Sequence, residues 1–315
     1  MKKVLVGIIG YGNIGKKRLE SVYKLSKLAK VKVICEKKKV KEKFKKIAII
    51  NDITKINDYN LDLLIICTPT DISKKIYTQF VGKYHLLVEK PITLNSNDLL
   101  KNINKSTQKR KLIKAGYNLK YDLGLRYIKK KLDDNFIGKI YYCKISYANG
   151  TAKSNSNNVG SIFDMASHSV NLLMWLLDSK KLKIINSSNQ KNEFSKNHFD
   201  NGFAILRAKD VLINLHHGFC NWKNTFSLEI YGEKGALKVH SLPKWGNQTL
   251  FYEKRVLPSG NPKVKIKNFK SDLSFKNELQ SLLEAVIDIN NKKYNTIREI
   301  NYESYYTLKN TTLLK

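Results

Sequence analysis

A glycine loop near the amino terminus constrains the fold of this chain more than any other feature of its sequence. Residues 3–9 form a short, almost purely apolar run, which is typical of a strand buried on both faces of a parallel sheet. Gly10, Gly12 and Gly15 follow in the pattern GxGxxG, and helical spacing of apolar residues begins at Asn13. A strand, a glycine loop and a helix in this order predict a binding site for a dinucleotide.

Each glycine has its own part in such a loop. Gly10 permits the tight turn, Gly12 lets the backbone approach a pyrophosphate, and Gly15 allows close packing of the helix on the strand. The start of the helix adds free N–H donors and the positive end of the helix dipole. The predicted cofactor-binding residues of the loop are Gly10, Tyr11, Gly12, Asn13, Ile14 and Gly15.

Apolar runs alternate with helically spaced segments throughout residues 1–117. This alternation, with short connections, predicts a doubly wound parallel sheet with helices on both faces. The later strand-like runs are residues 31–35, 48–50, 61–67, 85–88 and 112–115, and the helical segments are 13–28, 72–84 and 96–108.

The pattern changes in residues 118–315. Helices are predicted over 119–132 and 161–177, but from residue 183 to 267 strand-like runs follow one another with few helices between them. This pattern favours an α+β domain with a mostly antiparallel open sheet covered on one face. The predicted fold is therefore α/β, with an amino-terminal Rossmann domain (1–117) and an α+β second domain (118–315).

An acidic residue lies where the second strand should end. Glu36 follows Gly15 by 21 residues, and a carboxylate there accepts hydrogen bonds from the adenosine ribose and repels a 2′-phosphate. Residues 37–39 are all lysine and would attract that phosphate, although lysine is abundant everywhere in this chain. The sequence favours NAD and leaves NADP open.

Two short motifs close the fourth and fifth predicted strands. Thr68 and Pro69 end one strand, and Glu89 and Lys90, followed by Pro91, end the other. Ligands of open α/β sheets lie outside the carboxyl ends of the strands, so we predict that both turns contact the cofactor at its nicotinamide end, through Thr68, Pro69, Glu89 and Lys90. The ammonium of Lys90 can also bind or polarise a substrate oxygen.

Two polar residues interrupt the apolar helix predicted over 161–177. Asp164 and His168 are four residues apart and would share one helix face, where a carboxylate can orient an imidazole or both can reach a substrate. The alternative is a buried pair that only caps a neighbouring loop.

Residues 149–158 precede this helix and contain Lys153 among several serines and asparagines. Neutral hydrogen-bonding side chains suit a sugar or polyol. The segment is interpreted either as the lining of a substrate pocket, with Lys153 in contact with the substrate, or as a flexible low-complexity loop.

The chain is strongly basic, with 58 Lys and Arg against 26 Asp and Glu and a net charge of +32. Only six of the basic residues are arginine, whereas nucleic-acid readers favour arginine forks. The lysine excess is therefore interpreted as codon bias, and no specific nucleic-acid partner is predicted. A polyanion-binding surface stays as the alternative.

Cysteine and histidine spacing argues against a metal site. The four cysteines (Cys35, Cys67, Cys143 and Cys220) form no CxxC pair, and the adjacent His216 and His217 would point to opposite faces of a strand. No apolar stretch approaches the roughly 20 residues of a membrane span. The apolar run at residues 3–9 leads into the glycine loop rather than a cleavage site. We expect no metal, no membrane insertion and a cytoplasmic location.

Taken in order, these motifs resemble the Gfo/Idh/MocA oxidoreductase family, the glucose-fructose oxidoreductase and inositol dehydrogenase type. The resemblance extends over nearly the whole chain. The segments that carry it are residues 6–15, 67–70, 88–91, 115–118, 160–177 and 230–237.

The resemblance implies roles for individual residues. Lys90, Asp164 and His168 match the catalytic Lys, Asp and His positions of the family. His168 would act as the base on the hydroxyl that is oxidised, and Lys90 would stabilise the developing alkoxide. Asp164 would orient the site and bind a substrate hydroxyl, and Asn118 would also contact the substrate. Homodimers or homotetramers are implied through the sheet of the second domain.

The sequence also departs from the family pattern. Ser73 stands where many relatives carry histidine, Asn171 where they carry aspartate, and Lys120 and Tyr121 replace the usual Arg-Phe. These changes leave the proposed catalytic residues in place.

The function implied is an NAD(P)-dependent dehydrogenase or reductase that acts on a sugar, a sugar derivative or a nucleotide-linked sugar. Two alternatives stay open. One is an enzyme that uses tightly bound NAD for transient oxidation, as in epimerisation or glycoside cleavage. The other is a non-catalytic basic protein that keeps the dinucleotide-binding fold.

Overall fold

The apolar run that precedes the glycine loop forms β1, at the centre of a six-stranded sheet. A computed structural model describes residues 2–150, 159–192 and 197–315. The sheet has the order β3-β2-β1-β4-β5-β6 and every neighbouring pair is parallel, which confirms the predicted Rossmann arrangement. Its strands are β1 (Val4–Ile9), β2 (Ala29–Cys35), β3 (Ala48–Ile50), β4 (Leu63–Ile66), β5 (His85–Val88) and β6 (Ile113–Ala115).

Three helices follow strands of this sheet: α1 (Asn13–Lys24), α2 (Thr70–Phe80) and α3 (Ser96–Gln108). The side chain of Asn95 caps α3 by accepting hydrogen bonds from the N–H groups of Asn97 and Asp98. By contrast, α1 has Gly12 at its N-cap, no side-chain cap and no acidic residue in its first turn. The first N–H groups of α1 therefore donate no hydrogen bond to a capping side chain.

The second sheet has eight strands in the order β14-β13-β12-β11-β7-β10-β9-β8. Every neighbouring pair is antiparallel except β7 and β10, which agrees with the predicted mostly antiparallel sheet. The strands are β7 (Ile140–Ala148), β8 (Lys183–Gln190), β9 (Asn201–Ala208), β10 (Val211–Gly218), β11 (Thr225–Gly232), β12 (Gly235–His240), β13 (Gln248–Lys254) and β14 (Lys263–Phe269).

The helices that accompany this sheet differ from the prediction in two places. The helix expected over 119–132 is divided at Asp122, whose buried carboxylate caps α4 (Leu123–Asp133) and also accepts a hydrogen bond from Gln248. The helix expected over 161–177 begins as a π-helical turn, Ile162–Ala166, and continues as α5 (Ser167–Leu176).

The chain ends in α6 (Ser274–Asn290) and α7 (Ile297–Thr312), and these helices change the expected division of the chain. One compact unit comprises the chain up to Asn118 together with Phe275–Leu308, and the other comprises Leu119–Ser274 with Lys309–Lys315. The sequence-based boundary had assigned everything after residue 117 to the second domain.

The apolar face of α6 explains the difference. Its buried leucines and valine belong to the same core cluster as the buried residues of β1 and α1. Side chains of α7 also accept hydrogen bonds from the edge strand β6, Asn301 from the Ile113 N–H at 2.7 Å and Ser304 from the Ala115 N–H at 2.9 Å. The residues of α6 in the cluster are Leu279, Leu282, Leu283, Ala285, Val286 and Ile289.

None of the helices in residues 2–150, 159–192 and 197–315 combines the length and apolar character that crossing a membrane requires.

Candidate functional site

The glycine loop of the first unit has the geometry of a phosphate cradle. Gly10 has a φ of +87°, and a Cβ atom there would lie 3.0 Å from the backbone of Cys67. A Cβ atom at Gly15 would overlap the carbonyl oxygen of Gly10, so close packing requires glycine at this position. At Gly12 a Cβ atom would meet nothing within 4 Å, so open space lies in front of the loop and beside the uncapped start of α1.

This arrangement fits a dinucleotide. The two packed glycines shape the loop, and Gly12 leaves room for the pyrophosphate of the cofactor to approach the backbone. The predicted residues Tyr11, Asn13 and Ile14 form the remainder of this segment, and Asn13 and Ile14 begin α1.

Glu36 lies beside the loop, as predicted for a ribose ligand. One carboxylate oxygen accepts a hydrogen bond from the Tyr11 N–H at 2.6 Å, and the other accepts one from the Lys38 N–H at 3.0 Å. Burial alone would raise the pKa of Glu36, but these backbone N–H groups outweigh it and hold the pKa below its usual range. The carboxylate is therefore charged at neutral pH, and it accepts these hydrogen bonds from backbone N–H groups.

The turn at Thr68 and Pro69 borders the same loop. A Cβ atom on Gly10 would lie 3.1 Å from the Thr68 methyl carbon, and Pro69 forms the N-cap of α2. The Ser73 hydroxyl lies 2.9 Å from the Thr68 hydroxyl and 2.7 Å from the Thr68 carbonyl oxygen. Ser73 thus stabilises the turn through hydrogen bonds to Thr68.

A buried charge network holds the turn that contains Lys90. The guanidinium of Arg18, which is fully buried, donates to the Glu89 carboxylate at 2.7 Å and to the Glu278 carboxylate at 2.6 Å. A Cβ atom at Gly116 would lie 2.8 Å from the guanidinium and 2.9 Å from Glu89, so only glycine fits beside the pair.

The network joins three parts of the first unit: α1, the end of β5 and α6. Burial lowers the pKa of Arg18, but the two carboxylates outweigh this and keep the guanidinium charged. Burial also raises the pKa of Glu278. Sequence reasoning missed both residues, although a signal existed: Arg18 is one of only six arginines and lies next to the buried Leu19 of α1.

Lys90 follows Glu89 directly and is joined to Pro91 by a cis peptide bond. Since Glu89 is fixed by Arg18, the backbone that carries Lys90 is anchored at the carboxyl end of β5. Asn118, the last residue of the first segment of this unit, is buried.

Asp164 and His168 are both buried in the second unit, Asp164 in the π-helical turn and His168 in the first turn of α5. The ring of His168 meets the ring of Tyr147 edge to face, with the centroids 5.5 Å apart. The Lys244 ammonium donates a hydrogen bond to the Tyr147 hydroxyl at 3.0 Å.

Sequence reasoning missed Tyr147 and Lys244. Tyr147 reads as an ordinary inward-facing residue of β7, and Lys244 is one lysine among 52 in a connection without periodic pattern. Their meeting depends on the pairing of distant strands, which no local signal reports. Lys153, predicted as a substrate contact, lies outside the described residues.

The two adjacent histidines point to opposite faces of β10, as predicted. His216 contacts Ser146 and Asn201, whereas the buried His217 contacts Ser161. Burial lowers the pKa of His217 to about 3, so this imidazole is neutral at physiological pH. Across the part of the chain that the structure describes, no group of three or more His, Cys, Asp or Glu residues is placed to hold a metal ion.

Two family sequence models match the chain. Residues 4–117 match the oxidoreductase family with an NAD-binding Rossmann fold, and residues 125–238 match the GFO/IDH/MocA C-terminal domain. Among curated proteins, an inositol 2-dehydrogenase/D-chiro-inositol 3-dehydrogenase of Lacticaseibacillus casei is 25% identical over 260 residues, covering 77% of this chain and 73% of that protein. A myo-inositol 2-dehydrogenase of Thermotoga maritima is 22% identical and covers 74% of each chain.

Solved structures share the fold. A 3-ketoreductase from Actinomadura kijaniata in complex with NADP superimposes with a TM-score of 0.80 at 16% identity, covering 98% of this chain and 95% of that one. A UDP-N-acetylglucosamine 3-dehydrogenase from Acidithiobacillus ferrooxidans superimposes with a TM-score of 0.77 at 14% identity, covering 100% and 97%.

Proposed function

Because this chain belongs to the GFO/IDH/MocA family of NAD-binding oxidoreductases, we propose that it transfers a hydride between nicotinamide and a hydroxyl-bearing carbon of a sugar or polyol. The observation that carries the proposal is the open space at Gly12 beside the uncapped start of α1. Two of the relatives named above are inositol dehydrogenases and one is a UDP-N-acetylglucosamine 3-dehydrogenase. The substrate class proposed here includes inositols, free sugars and nucleotide-linked sugars.

We propose NAD as the cofactor. The charged Glu36 carboxylate can accept hydrogen bonds from the adenosine ribose, and it would repel a 2′-phosphate. The solved relative with NADP makes NADP the alternative. Gly10, Gly12 and Gly15 would hold the pyrophosphate, and the turns at Thr68 and Glu89 would border the nicotinamide end.

The proposed roles of the other residues follow from their chemistry. When bound, nicotinamide accepts or donates the hydride. His168 takes the proton of the hydroxyl that is oxidised and returns it in the reverse direction. Lys90 donates a hydrogen bond to the same oxygen and stabilises its developing negative charge. Asp164 accepts a hydrogen bond from a further substrate hydroxyl, with Asn118 and Lys153 as additional substrate contacts.

Cofactor binding is the first test of this proposal. Purified protein should bind NADH more tightly than NADPH, as measured by cofactor fluorescence at physiological salt. The variant Glu36→Gln should reduce that preference by about tenfold, because the repulsive charge is removed while the hydrogen-bonding shape stays. A protein that binds neither cofactor would overturn the proposal.

Turnover is the second test. Reduction of NAD at 340 nm is followed with myo-inositol, scyllo-inositol, free hexoses and UDP-N-acetylglucosamine as candidate substrates. His168→Ala and Lys90→Ala should each lower turnover by at least about a hundredfold, while NADH binding persists. His216→Ala and Lys75→Ala serve as matched controls, and equal rates in the catalytic and control variants would remove His168 and Lys90 from the mechanism.

We also propose that the protein forms a homodimer or homotetramer through the second sheet and works in the cytoplasm. Phe203 and Leu212 are exposed on one face of this sheet, where Tyr142 and Tyr231 stack on each other. Exposed apolar residues on one face of a sheet are typical of a surface that contacts another subunit. All four cysteines are free thiols, which supports a reducing compartment. Light scattering of wild type and Phe203→Glu should give an oligomer and a smaller species, respectively.

A further inference from the structure

The second unit holds a cation beside His168 that the proposed mechanism does not use. Lys244 lies in a short 3-10 turn, Pro243–Trp245, between β12 and β13. Its ammonium donates to the Tyr147 hydroxyl at 3.0 Å and lies 4.5 Å from the centre of the Trp245 ring. Tyr147 in turn packs against the imidazole of His168. These contacts fix the ammonium, and Tyr147 links it to the proposed base.

The ammonium retains donor capacity. Within the described residues, Lys244 forms no ion pair, and its one hydrogen bond is the one to Tyr147. An ammonium carries three N–H donors, and Lys244 is solvent-accessible. Two donors are therefore available to a ligand that approaches from solvent.

Three carboxylates act on this ammonium from different elements. Asp164 belongs to the π-helical turn, Asp122 caps α4, and Asp272 follows β14. Desolvation by the surrounding protein lowers the pKa of Lys244 to about 8, and the three carboxylates act in the opposite direction. An anionic ligand group would be attracted by one ammonium and repelled by three carboxylates. The net electrostatic interaction therefore disfavours an anionic group at this position.

A vicinal diol can form hydrogen bonds with both the ammonium and a carboxylate. One hydroxyl oxygen can accept a hydrogen bond from an ammonium while the neighbouring hydroxyl donates to a carboxylate. We propose that Lys244 is a substrate-binding residue, which donates a hydrogen bond to one hydroxyl of a neutral polyol ring while Asp164 accepts from the adjacent hydroxyl. The proposal rests on the proposed function and narrows its substrate class to uncharged polyols and sugars at this part of the ring.

Competitive acetylation tests the contact directly. The full-length protein with bound NADH is treated with limiting acetic anhydride between pH 6 and pH 10, and labelled peptides are quantified by mass spectrometry. We expect Lys244 to react with a midpoint near pH 8. A saturating concentration of the polyol that wild type oxidises should protect Lys244 and leave Lys183, an exposed lysine of β8, unprotected.

Kinetics of Lys244→Met supply the second measurement. Hydrogen bonds to charged groups contribute enough that kcat/KM for the neutral polyol should fall roughly 10- to 100-fold, mainly through KM. Lys183→Met should change neither constant. NADH binding should stay at the wild-type value in both variants, which separates loss of the contact from loss of the fold.

The outcomes distinguish this inference from the proposed function. If wild type turns over a polyol but Lys244 is not protected and Lys244→Met keeps the wild-type KM, the inference is wrong and the proposed function stands. If the preferred substrate carries a carboxylate or a phosphate, and its KM rises in Lys244→Met, the restriction to uncharged polyols and sugars is wrong. If wild type binds NADH and oxidises no sugar or polyol, the proposed function fails and this inference fails with it.

Discussion

Replacing Arg18 with methionine should strongly destabilise the first unit. The guanidinium is fully buried and bonds two carboxylates, of which Glu278 is fully buried and Glu89 partly exposed. Methionine keeps much of the volume but leaves both carboxylates without their cation. Breaking a buried ion pair by removing one partner costs about 3–5 kcal/mol. For a unit of this size, that corresponds to a fall in melting temperature of roughly 6–20 °C.

The same helix provides a matched control. Lys16 pairs with Glu42 at 2.6 Å, the same separation as Arg18 and Glu278, but both partners are exposed. Solvent screens that pair, so Lys16→Met should leave the stability of the unit essentially unchanged. The two variants differ in burial and not in the length of the ion pair.

The assay must detect unfolding of the first unit in particular. All three tryptophans (Trp175, Trp222 and Trp245) belong to the second unit, so urea unfolding is followed by far-UV circular dichroism together with hydrogen exchange in peptides from α1 and β5. The double variant Arg18→Met with Glu278→Gln should recover part of the loss, because one of the two orphaned charges is removed. If Arg18→Met unfolds at the same urea concentration as Lys16→Met, the reasoning from burial is wrong.

Three further predictions follow from the glycine loop and a buried histidine. Gly12→Ala should keep wild-type stability but weaken NADH binding about tenfold or more, because its methyl group enters the open space of the cradle. Gly15→Ala should instead lower the free energy of unfolding by about 1–3 kcal/mol, because its methyl group meets the Gly10 carbonyl. Burial lowers the pKa of His85 to about 3, so its contribution to stability is complete above about pH 6.5 and is lost as the pH falls toward 3. The free energies of unfolding obtained from urea titrations at pH 7 and pH 5 should differ by about 2 kcal/mol more in wild type than in His85→Gln.

Elements set by local signals were predicted almost residue for residue. The strand β5 and the helix α3 have the expected bounds because an apolar run and a capped, periodic segment each end at turn residues. The glycine loop and Glu36 also come together as expected, since the Rossmann crossover places them at the same edge of the sheet.

The features that sequence reasoning missed all depend on distant partners. The π-helical turn around Asp164 replaces a regular helix start, and the 3.6-residue pattern carries no mark of it. Arg18 meets Glu278 across 260 positions, and Lys244 meets Tyr147 across 97. Periodicity indicates that a segment is buried, but it does not identify the segment against which it packs, so no local signal indicated that α6 shares a core with β1 and α1.

The contribution of α6 to the first core has a consequence for protein synthesis. The six strands of the first sheet leave the ribosome early, but the leucines that complete their core follow only after roughly 160 further residues, which at ordinary translation rates means about 8–30 s. During that interval the core of β1, β2 and α1 lacks the apolar residues that α6 contributes to it. A nascent chain stalled before residue 275 should therefore bind chaperones and be cleaved rapidly by proteases, whereas the completed chain should resist them. The core that is begun first is therefore completed only when α6 has been translated.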